Sequence, residues 1–252
     1  MMEKINEIAQ GQRCPKCSCD RLYQLADGRF KCVQCSSKYS AKKIRDDLKI
    51  LHYCCLEIPA NKAAKDLGFS YPMVRNKYMR YRQEIVEILD QDFQKLSGEI
   101  ECDESYFGGK KRGPRGRGSR VKMIVFRMLE RQNKIFTTIV DNVSAQTLMD
   151  EISKHAEKGS VFYTDTFRSY KSLKQFGHHI TVDHGKEFGF KRRHINGLEG
   201  FWSYAKERLL KYHGVSKRHF YLYLKELEFR YNYRKTNLYQ KLIEIHFGPV
   251  FL

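Results

Sequence analysis

Residues 101–109 read ECDESYFGG, and the interpretation of the larger part of the chain starts from them. This segment has the composition of a β-strand, and the glycine pair Gly108 and Gly109 marks where the strand stops. Two more apolar segments of the same character follow, VKMIVFRMLE (121–130) and KIFTTIVDN (134–142). Together they predict three consecutive strands that pair antiparallel.

After these strands the pattern alternates between helix and strand. The predicted elements are a helix capped by Ser144 that runs to about His155, a strand VFYTD (161–165), a helix from Thr166 to Phe176, a strand HITVDH (179–184), and mainly helix from about Ile195. This order of elements is that of a ribonuclease H-like domain. We therefore expect an α/β fold in residues 97–252, with a mixed five-stranded sheet and helices.

The composition limits the class of protein. The chain has 252 residues, with 47 Lys and Arg against 29 Asp and Glu, which gives a formal charge of +18. Such a length favours a main domain with one or two small ones, and 41% hydrophobic residues rule out wholesale disorder. The excess of positive charge indicates a polyanionic partner, of which nucleic acid is the commonest.

The apolar runs are too short for a membrane protein. None approaches the ~18 residues of a membrane span, and the first residues, MMEKINEIAQGQR, have no apolar core for a signal peptide. An anionic membrane surface would also attract a basic chain, but we find no long basic amphipathic helix to bind it. We expect a soluble, cytoplasmic protein that associates with the nucleoid.

Four cysteines form two pairs with metal-ligand spacing, Cys14-x-x-Cys17 and Cys32-x-x-Cys35. Two-residue spacing lets both thiolates of a pair reach one tetrahedral ion. Cys19 is close enough to Cys17 to replace it as a ligand. Four thiolates leave no open coordination position, so one Zn²⁺ bound here would be structural and would not take part in catalysis.

A hairpin between the two cysteine pairs agrees with this interpretation. Asp27-Gly28 is a strong turn signal between RLYQL (21–25) and RFKCV (29–33), which have strand character. Residues 1–40 are therefore predicted to be a zinc ribbon. The alternative is that the four thiols are unrelated and reduced.

The next segment has the periodicity of helices. Apolar residues recur at helical spacing from Ile44 to Cys55, and Pro59 ends this helix. Asn61 is then expected to cap a short helix that Gly68 stops, and Ser70 to open a longer one. Helix, short helix, glycine-containing turn and basic helix is the outline of a helix-turn-helix.

Residues 41–96 are therefore predicted to be a DNA-binding domain. Any small three-helix bundle has a similar outline, but the zinc ribbon and the charge of the chain favour DNA binding. A second basic segment, GGKKRGPRGRGSR (108–120), has six Lys/Arg and no acid. The residues expected to contact DNA are Arg75, Asn76, Lys77 and Arg80 in the last helix, and Lys110, Lys111, Arg112, Arg115, Arg117 and Arg120 in the basic segment.

Two aspartates stand on strands that are neighbours in a ribonuclease H-like sheet. Asp103 lies in the middle of the first strand and Asp165 ends the fourth, so the two could lie side by side. Carboxylates close together repel unless a cation sits between them, and a pair of Mg²⁺ ions is held in this way for in-line displacement at phosphorus. Glu104 points to the opposite face of the strand from Asp103, so only one of them can face the metal.

A third acid, Glu199, lies with Lys206 in HINGLEGFWSYAKERL (194–209). Seven residues are close to two helical turns, so both project from one side of a helix, beside an apolar stripe that places Trp202 in the core. The alternative is that these acids are ordinary, because the chain has 29 of them. An Asp at a strand end is often a turn residue, and Glu199 with Lys206 could be a solvated face.

Three stretches carry a resemblance to a known family. DESYFGGKKRGPRGRG around Asp103, YTDTFRSY around Asp165 and HINGLEGFWSYAKERL around Glu199 resemble the DDE transposases of bacterial insertion sequences, in the group related to eukaryotic Merlin elements. The cysteine pairs and PANKAAKDLG (59–68) are similar to that group's zinc ribbon and helix-turn-helix, so the resemblance covers nearly the whole chain.

The resemblance implies an enzyme that uses two Mg²⁺ or Mn²⁺ ions. It would cut double-stranded DNA at the terminal inverted repeats of its own element and join the ends to target DNA, acting as a homo-oligomer on DNA. By the family pattern Asp103, Asp165 and Glu199 are the metal-binding triad, and Lys206 is the basic residue that follows. Some relatives have Asn in the third place, which Asn196 occupies here, but the presence of both Glu199 and Lys206 favours the acidic triad.

Two other functions share parts of this pattern. A zinc-ribbon DNA-binding protein, such as a repressor, could have a core that has lost catalysis, but all three acids are present. A structure-specific nuclease of the ribonuclease H-like class would share the chemistry without joining strands. Hydrolysis and joining differ only in whether water or a 3′-hydroxyl attacks, and no residue distinguishes them.

Overall fold

The computed structural model describes most of the chain. The described ranges are 2–108, 122–131, 134–182, 196–212 and 214–248, with the backbone alone at positions 2, 4 and 196–199. The chain divides into two compact units, the first formed by Met1–Ile88 with Tyr233–Leu252 and the second by Leu89–Asn232. None of the helices in the described ranges is long and apolar enough to cross a membrane.

Both units contain helices and strands. In chain order the elements are α1 (Met2–Ala9), β1 (Leu22–Gln24), β2 (Phe30–Cys32), β3 (Lys38–Tyr39), α2 (Ala41–Cys55), α3 (Ala60–Leu67), α4 (Tyr71–Gln91), β4 (Glu99–Phe107), β5 (Met123–Glu130), β6 (Ile135–Val140), α5 (Ala145–His155), β7 (Val161–Thr164), a 3₁₀ helix (Arg168–Gln175), β8 (His178–Thr181), α6 (Asn196–Leu210), α7 (Lys217–Asn232) and α8 (Leu238–Phe247).

Strands β1, β2 and β3 form a small antiparallel sheet in that order. The turn between β1 and β2 passes through Asp27 and Gly28, as predicted. Gly28 has a φ of +80°, a left-handed conformation that suits a residue without Cβ. The carboxylate of Asp27 accepts the backbone N–H of Arg29 at 3.0 Å. The predicted hairpin is therefore confirmed.

The start of the short helix α3 differs from the prediction. Its N-cap is Pro59, with φ −57° and ψ 141°, and Asn61 lies inside the helix. The expectation that Asn61 caps α3 is wrong because the proline already stands at the boundary. Proline has a φ close to the helical value and disfavours helix in the residue before it. Gly68 ends α3 in the left-handed conformation, with φ +69°, as predicted.

The C-terminal helix α8 packs against α2 in the first unit. The sequence instead groups residues 233–252 with the ribonuclease H-like domain. Leu242 and Ile243 of α8 are buried, and the hydroxyl of Tyr239 donates to the carbonyl of Leu48 at 3.3 Å. An apolar stripe shows that a helix needs a partner but does not identify it, so the sequence could not reveal this contact.

The second unit is built on a sheet with the strand order β6-β5-β4-β7-β8. Strands β4, β5 and β6 pair antiparallel, whereas β7 pairs parallel with both β4 and β8. The predicted mixed five-stranded sheet with helices is confirmed. The helix predicted after β7 is also present, as a 3₁₀ helix.

Helices cover the two faces of this sheet with separate apolar clusters. On one face α6 contributes Phe201 and Trp202, joined by residues of α7. On the other face the 3₁₀ helix contributes Tyr170, joined by residues of α5. Because successive strand residues point to opposite faces, Asp103 lies on the α6/α7 face and Glu104 on the other.

Side chains of α7 cover the outer strand β6. Glu228 Oε2 accepts hydrogen bonds from the N–H and the hydroxyl of Thr137, at 2.8 and 2.7 Å, and from the ammonium of Lys225 at 2.8 Å. Asn232 both accepts from and donates to the backbone of Ile135. These contacts satisfy backbone groups of an edge strand that could otherwise pair with another chain.

Replacing Glu228 by Ala should lower the free energy of unfolding of the second unit by about 3–5 kcal/mol, because the buried Lys225 ammonium loses its carboxylate partner. The matched control is Glu151→Ala. Glu151 forms an i, i+3 pair with the exposed Lys154 and lies 3.6 Å from His155. A pair with one exposed partner is screened by solvent and contributes only about 0.2–1 kcal/mol. Urea unfolding measures both variants, and equal losses would contradict the assigned role of Glu228.

A buried histidine connects three helices of the first unit. His246 on α8 lies 2.8 Å from Glu84 Oε2 on α4 and 3.9 Å from Asp47 Oδ2 on α2. Asp47 also pairs with Lys77 at 2.7 Å. Burial disfavours the charged imidazole, but hydrogen bonds with Asp47 and Glu84 outweigh burial and raise the pKa of His246 above its ordinary value.

The first unit should lose stability as the pH rises through the folded-state pKa of His246. A histidine whose pKa is raised on folding contributes stability that is fully present below its unfolded pKa of about 6.5. Above the folded-state pKa this contribution is absent. Unfolding midpoints measured from pH 6 upward should therefore decrease, and His246→Gln should flatten that decrease.

Candidate active site

The register of β4 and β7 brings two acids to one edge of the sheet. These strands are parallel neighbours, and Glu101 lies opposite Tyr163. Asp103 lies two residues after Glu101 on β4, and Asp165 lies two residues after Tyr163, just past the end of β7. The negative charge of Asp165 acts on Asp103, whose pKa it helps to raise. The structure thus brings together the first two acids of the predicted triad.

Asp103 is half-buried and has fixed neighbours. The indole N–H of Trp202 donates to Asp103 Oδ2 at 2.9 Å, and Arg127 lies opposite Asp103 on β5. Burial raises the pKa of Asp103, whereas the Trp202 hydrogen bond and the charge of Arg127 act in the other direction. The net direction is upward, so the carboxylate lies where further positive charge would stabilise it.

Arg127 supplies a buried positive charge at this part of the sheet. Its side chain is fully buried, and its guanidinium lies 4.2 Å from the ring centroid of Trp202 and 5.2 Å from that of Phe201. Burial lowers the pKa of Arg127 to about 9 while Asp103 opposes the change, so the guanidinium stays charged at neutral pH. Desolvated cation–π contacts of this kind contribute about 2 kcal/mol.

Asp165 is held by the turn that follows β7. Its Oδ1 accepts the backbone N–H of Phe167 at 2.9 Å, which orients the carboxylate against its own backbone. The carbonyl of Asp165 accepts the hydroxyl of Thr164 at 2.8 Å, and this hydroxyl also contacts His179 Nε2 at 2.9 Å. Asp165 is therefore a turn residue whose carboxylate is preorganised by the turn.

Helix α6 carries the third predicted acid and its alternative. The helix begins at Asn196, so Asn196 and Glu199 both lie in its first turn, and their side chains are outside the described part of the structure. Glu199 precedes Trp202 by one turn of the helix backbone. Since the Trp202 side chain contacts Asp103, α6 lies next to β4 at Trp202. Lys206 is exposed further along the same helix.

Glu104 is engaged on the opposite face of β4. Its carboxylate accepts the hydroxyl of Tyr170 at 2.8 Å, and Tyr170 is buried in the cluster formed with α5 and the 3₁₀ helix. Tyr163, two residues before Asp165, belongs to the other cluster. The prediction that Asp103 and Glu104 face opposite ways is confirmed.

Two residues at this edge have contacts that the sequence analysis missed. The sequence places Trp202 in the core, which its 7% exposure confirms, but gives no indication of its hydrogen bond to Asp103. Arg127 is absent from the sequence-based candidates. A cation in the middle of an apolar strand, MIVFRMLE (123–130), was the available signal, because a buried charge needs a partner.

The four predicted cysteine ligands converge. The sulfurs of Cys14, Cys17, Cys32 and Cys35 all lie within 4.8 Å of one another, with 3.6 Å between Cys14 and Cys35 and 3.5 Å between Cys17 and Cys32. Sulfurs bound tetrahedrally at about 2.3 Å from one Zn²⁺ are about 3.8 Å apart, so this set fits the ion. Cys19, the alternative ligand, lies outside the cluster and contacts the backbone two residues further on.

The two cysteine pairs share one backbone geometry. Ser18 and Ser36 each follow the second cysteine of a pair, have φ of 58°, and donate their N–H to the carbonyls of Cys14 and Cys32. This conformation costs a non-glycine residue about 1–2 kcal/mol. A backbone hydrogen bond from Cys35 lowers the pKa of Cys32 to about 6. Burial raises the pKa of Cys14, and at Cys17 a backbone hydrogen bond from Cys19 is outweighed by burial and the neighbouring thiols, which raise the pKa to about 12.

The residues predicted to contact DNA differ in their surroundings. Arg75 and Asn76 on α4 are exposed. Lys77 and Arg80 each form an ion pair with a carboxylate of the same unit, at 2.7 and 2.8 Å. The basic residues of 110–120 lie outside the described part of the structure.

Weak likenesses to solved structures accompany this geometry. The catalytic core domain of BIV integrase is 11% identical with a TM-score of 0.36, and the likeness covers 56% of this chain and 86% of that one. The Mos1 strand transfer complex is 12% identical with a TM-score of 0.37, covering 79% of this chain and 76% of that one.

Sequence comparisons identify the family. A protein of Haemophilus influenzae described as an uncharacterized transposase-like protein is 43% identical over 101 residues, which are 39% of this chain and 81% of that protein. The profile of the ISXO2-like transposase domain matches residues 95–232, over half of the chain. These matches bear out the resemblance to insertion-sequence transposases without specifying the Merlin-related group. The chain belongs to the family of ISXO2-like transposase domains.

Proposed function

We propose that this protein is a transposase that binds the terminal inverted repeats of its own insertion sequence and carries out metal-dependent cleavage and strand transfer of DNA. The observation that carries the proposal is the pair Asp103 and Asp165, which lies at one edge of the sheet inside the family-matched range. Like charges placed together in a half-buried site favour a bound cation.

In this proposal Asp103, Asp165 and Glu199 hold two Mg²⁺ or Mn²⁺ ions. Carboxylate oxygens are the hard ligands that Mg²⁺ prefers, and the two described acids fit that requirement. When bound, such a metal pair activates the attacking oxygen and stabilises the leaving oxygen of an in-line displacement at phosphorus. Asn196, in the same turn of α6 as Glu199, is the alternative third residue.

The remaining roles fall to residues of the chain itself. The turn at Asp165 holds its carboxylate in place before DNA arrives. Lys206, exposed on α6, contacts a phosphate of the DNA end. Attack by water at the same centre gives cleavage, and attack by a 3′-hydroxyl gives joining.

DNA recognition is assigned to the N-terminal domains, the ribbon (1–40) and the helix-turn-helix (41–96), outside the catalytic domain (97–252). Arg75 and Asn76 have the side-chain chemistry to bind base edges and phosphates. Lys77 and Arg80 reach DNA by exchanging their carboxylate partners for phosphates. The basic residues of the 110–120 segment add phosphate contacts, and the protein acts as a homo-oligomer on DNA.

Replacing Asp103, Asp165 or Glu199 by Ala should abolish cleavage of a labelled inverted-repeat duplex in Mg²⁺. Binding measured by gel shift in Ca²⁺ should remain nearly unchanged, because it depends on the basic helices. Double variants should be no worse than single ones, since losing one ligand disables the shared site. Glu104→Gln, on the opposite face of β4, is the control and should cut at close to the wild-type rate.

Three outcomes would change the assignment. If Glu199→Ala still cuts and Asn196→Ala does not, Asn196 is the third ligand. If all three acid variants cut, the proposed metal site is wrong. If the wild-type protein binds the repeats but never cuts them, the protein is a DNA-binding relative without catalysis.

The four clustered cysteines are proposed to bind one structural Zn²⁺. Reduced protein purified without chelators should contain one zinc per chain by elemental analysis. Chelation should unfold residues near 10–40 and weaken DNA binding, with little effect on the second unit, because folding and metal binding are coupled in such ribbons. Cys14→Ser should lose the metal, whereas Cys19→Ser should keep it. Zinc-free wild-type protein would contradict the assignment.

A further inference from the structure

We infer that Trp202 is a positioning residue of the metal site. Its indole N–H fixes the carboxylate of Asp103 and connects strand β4 to the helix that carries Glu199. The inference rests on the proposed function, since it concerns two of the proposed ligands. It adds to that function a residue that neither binds the metal nor contacts DNA.

The hydrogen bond is held by the core around it. Trp202 Nε1 donates to Asp103 Oδ2 at 2.9 Å, and Trp202 is 7% exposed. Its ring centroid lies 5.7 Å from that of Phe107 and 5.5 Å from that of Phe201. An indole packed in this way cannot turn away without disturbing the cluster. The orientation of the carboxylate is therefore set by packing as well as by its own strand.

The indole ring of Trp202 contacts both an anion and a cation. The edge of an aromatic ring is electropositive and its face electronegative, and indole also carries an N–H donor at its edge. Asp103 accepts from that edge, while the guanidinium of Arg127 lies 4.2 Å from the ring centroid. Phenylalanine would keep the apolar ring and a face for Arg127 but would lose the donor. Trp202→Phe therefore tests the hydrogen bond.

The position of Trp202 in α6 gives this hydrogen bond a second effect. Glu199 precedes it by one helical turn, so a bond from Trp202 to Asp103 also sets how far this turn of α6 stands from β4. Ligands need placement to within about 0.5 Å, and losing a hydrogen bond that supports a ligand typically costs 10–100-fold in metal affinity or activity.

The test compares Trp202→Phe with Tyr170→Phe. Tyr170 donates to Glu104, the next residue of β4, and is also buried but on the opposite face. Calorimetric titration with Mn²⁺ alone, without DNA, should show about 10–100-fold weaker binding for Trp202→Phe and near wild-type binding for Tyr170→Phe. Cleavage should fall in parallel, while the gel shift in Ca²⁺ stays unchanged.

A second measurement leaves the core intact. The chain has one tryptophan, so ¹⁵N-labelled protein gives one indole N–H resonance. Adding Mg²⁺ should shift this resonance in the wild-type protein, and Asp103→Asn should remove the response. This measurement decides the question even if Trp202→Phe fails to fold, as judged by circular dichroism.

The outcomes separate the inference from the proposed function. If Asp103→Asn abolishes Mn²⁺ binding while Trp202→Phe binds like wild type, or if the indole resonance ignores saturating Mg²⁺, Trp202 is only a core residue and the inference is overturned. If Asp103→Asn leaves both Mn²⁺ binding and cleavage unchanged, the proposed metal site itself fails, and the inference fails with it.

Discussion

The second unit depends on how its sheet compensates the charges that it buries. An isolated charge removed from water costs several kcal/mol or more, so each needs an opposite charge or an aromatic face. Arg131 meets both needs, since it donates to Glu101 at 2.9 Å and lies 3.8 Å from the ring centroid of Tyr163. Arg127 lies opposite Asp103, whose negative charge acts on it, and beside the ring of Trp202. These pairings allow α6 and α7 to pack on a face that carries ions.

Asp103 differs from Glu228 in this balance. Glu228 is matched by Lys225 and by two donors of Thr137, which are the marks of a structural group. At Asp103 burial still raises the pKa, and the nearby Asp165 adds a second negative charge. At the ends of β4 and β7, Asp103 and Asp165 thus place two negative charges beside the positive charge of Arg127. This excess of negative charge, more than the presence of an acid, distinguishes a candidate metal ligand from the acids that stabilise the fold.

The sequence predicted several features whose signal is local. Strand character and element order gave the sheet, and two-residue cysteine spacing gave the convergent sulfurs. Contacts between distant residues left no local trace: Trp202 meets Asp103 across 99 positions. Where two signals stand close together, as at Pro59 and Asn61, the pattern could not say which one sets the boundary. The register of β4 and β7, which brings Asp103 close to Asp165, is a property of the fold. Neither of the two segments carries a sequence signal for it.

The basic side chains of the first unit that could bind DNA differ in whether they already form an ion pair. Lys77 and Arg80 are already paired with Asp47 and Glu84, the same carboxylates that His246 approaches.

The Arg80 side chain is exposed, so its ion pair with Glu84 is screened by solvent and is worth only about 0.2–1 kcal/mol. The Lys77–Asp47 pair is partly buried, and breaking it to reach a phosphate costs more free energy. Affinity for a polyanion grows instead with each exposed cation that displaces counterions from DNA. Arg75 is exposed on the helix that carries Lys77 and Arg80. Among Arg75, Lys77 and Arg80, Arg75 should therefore contribute most to the free energy of DNA binding.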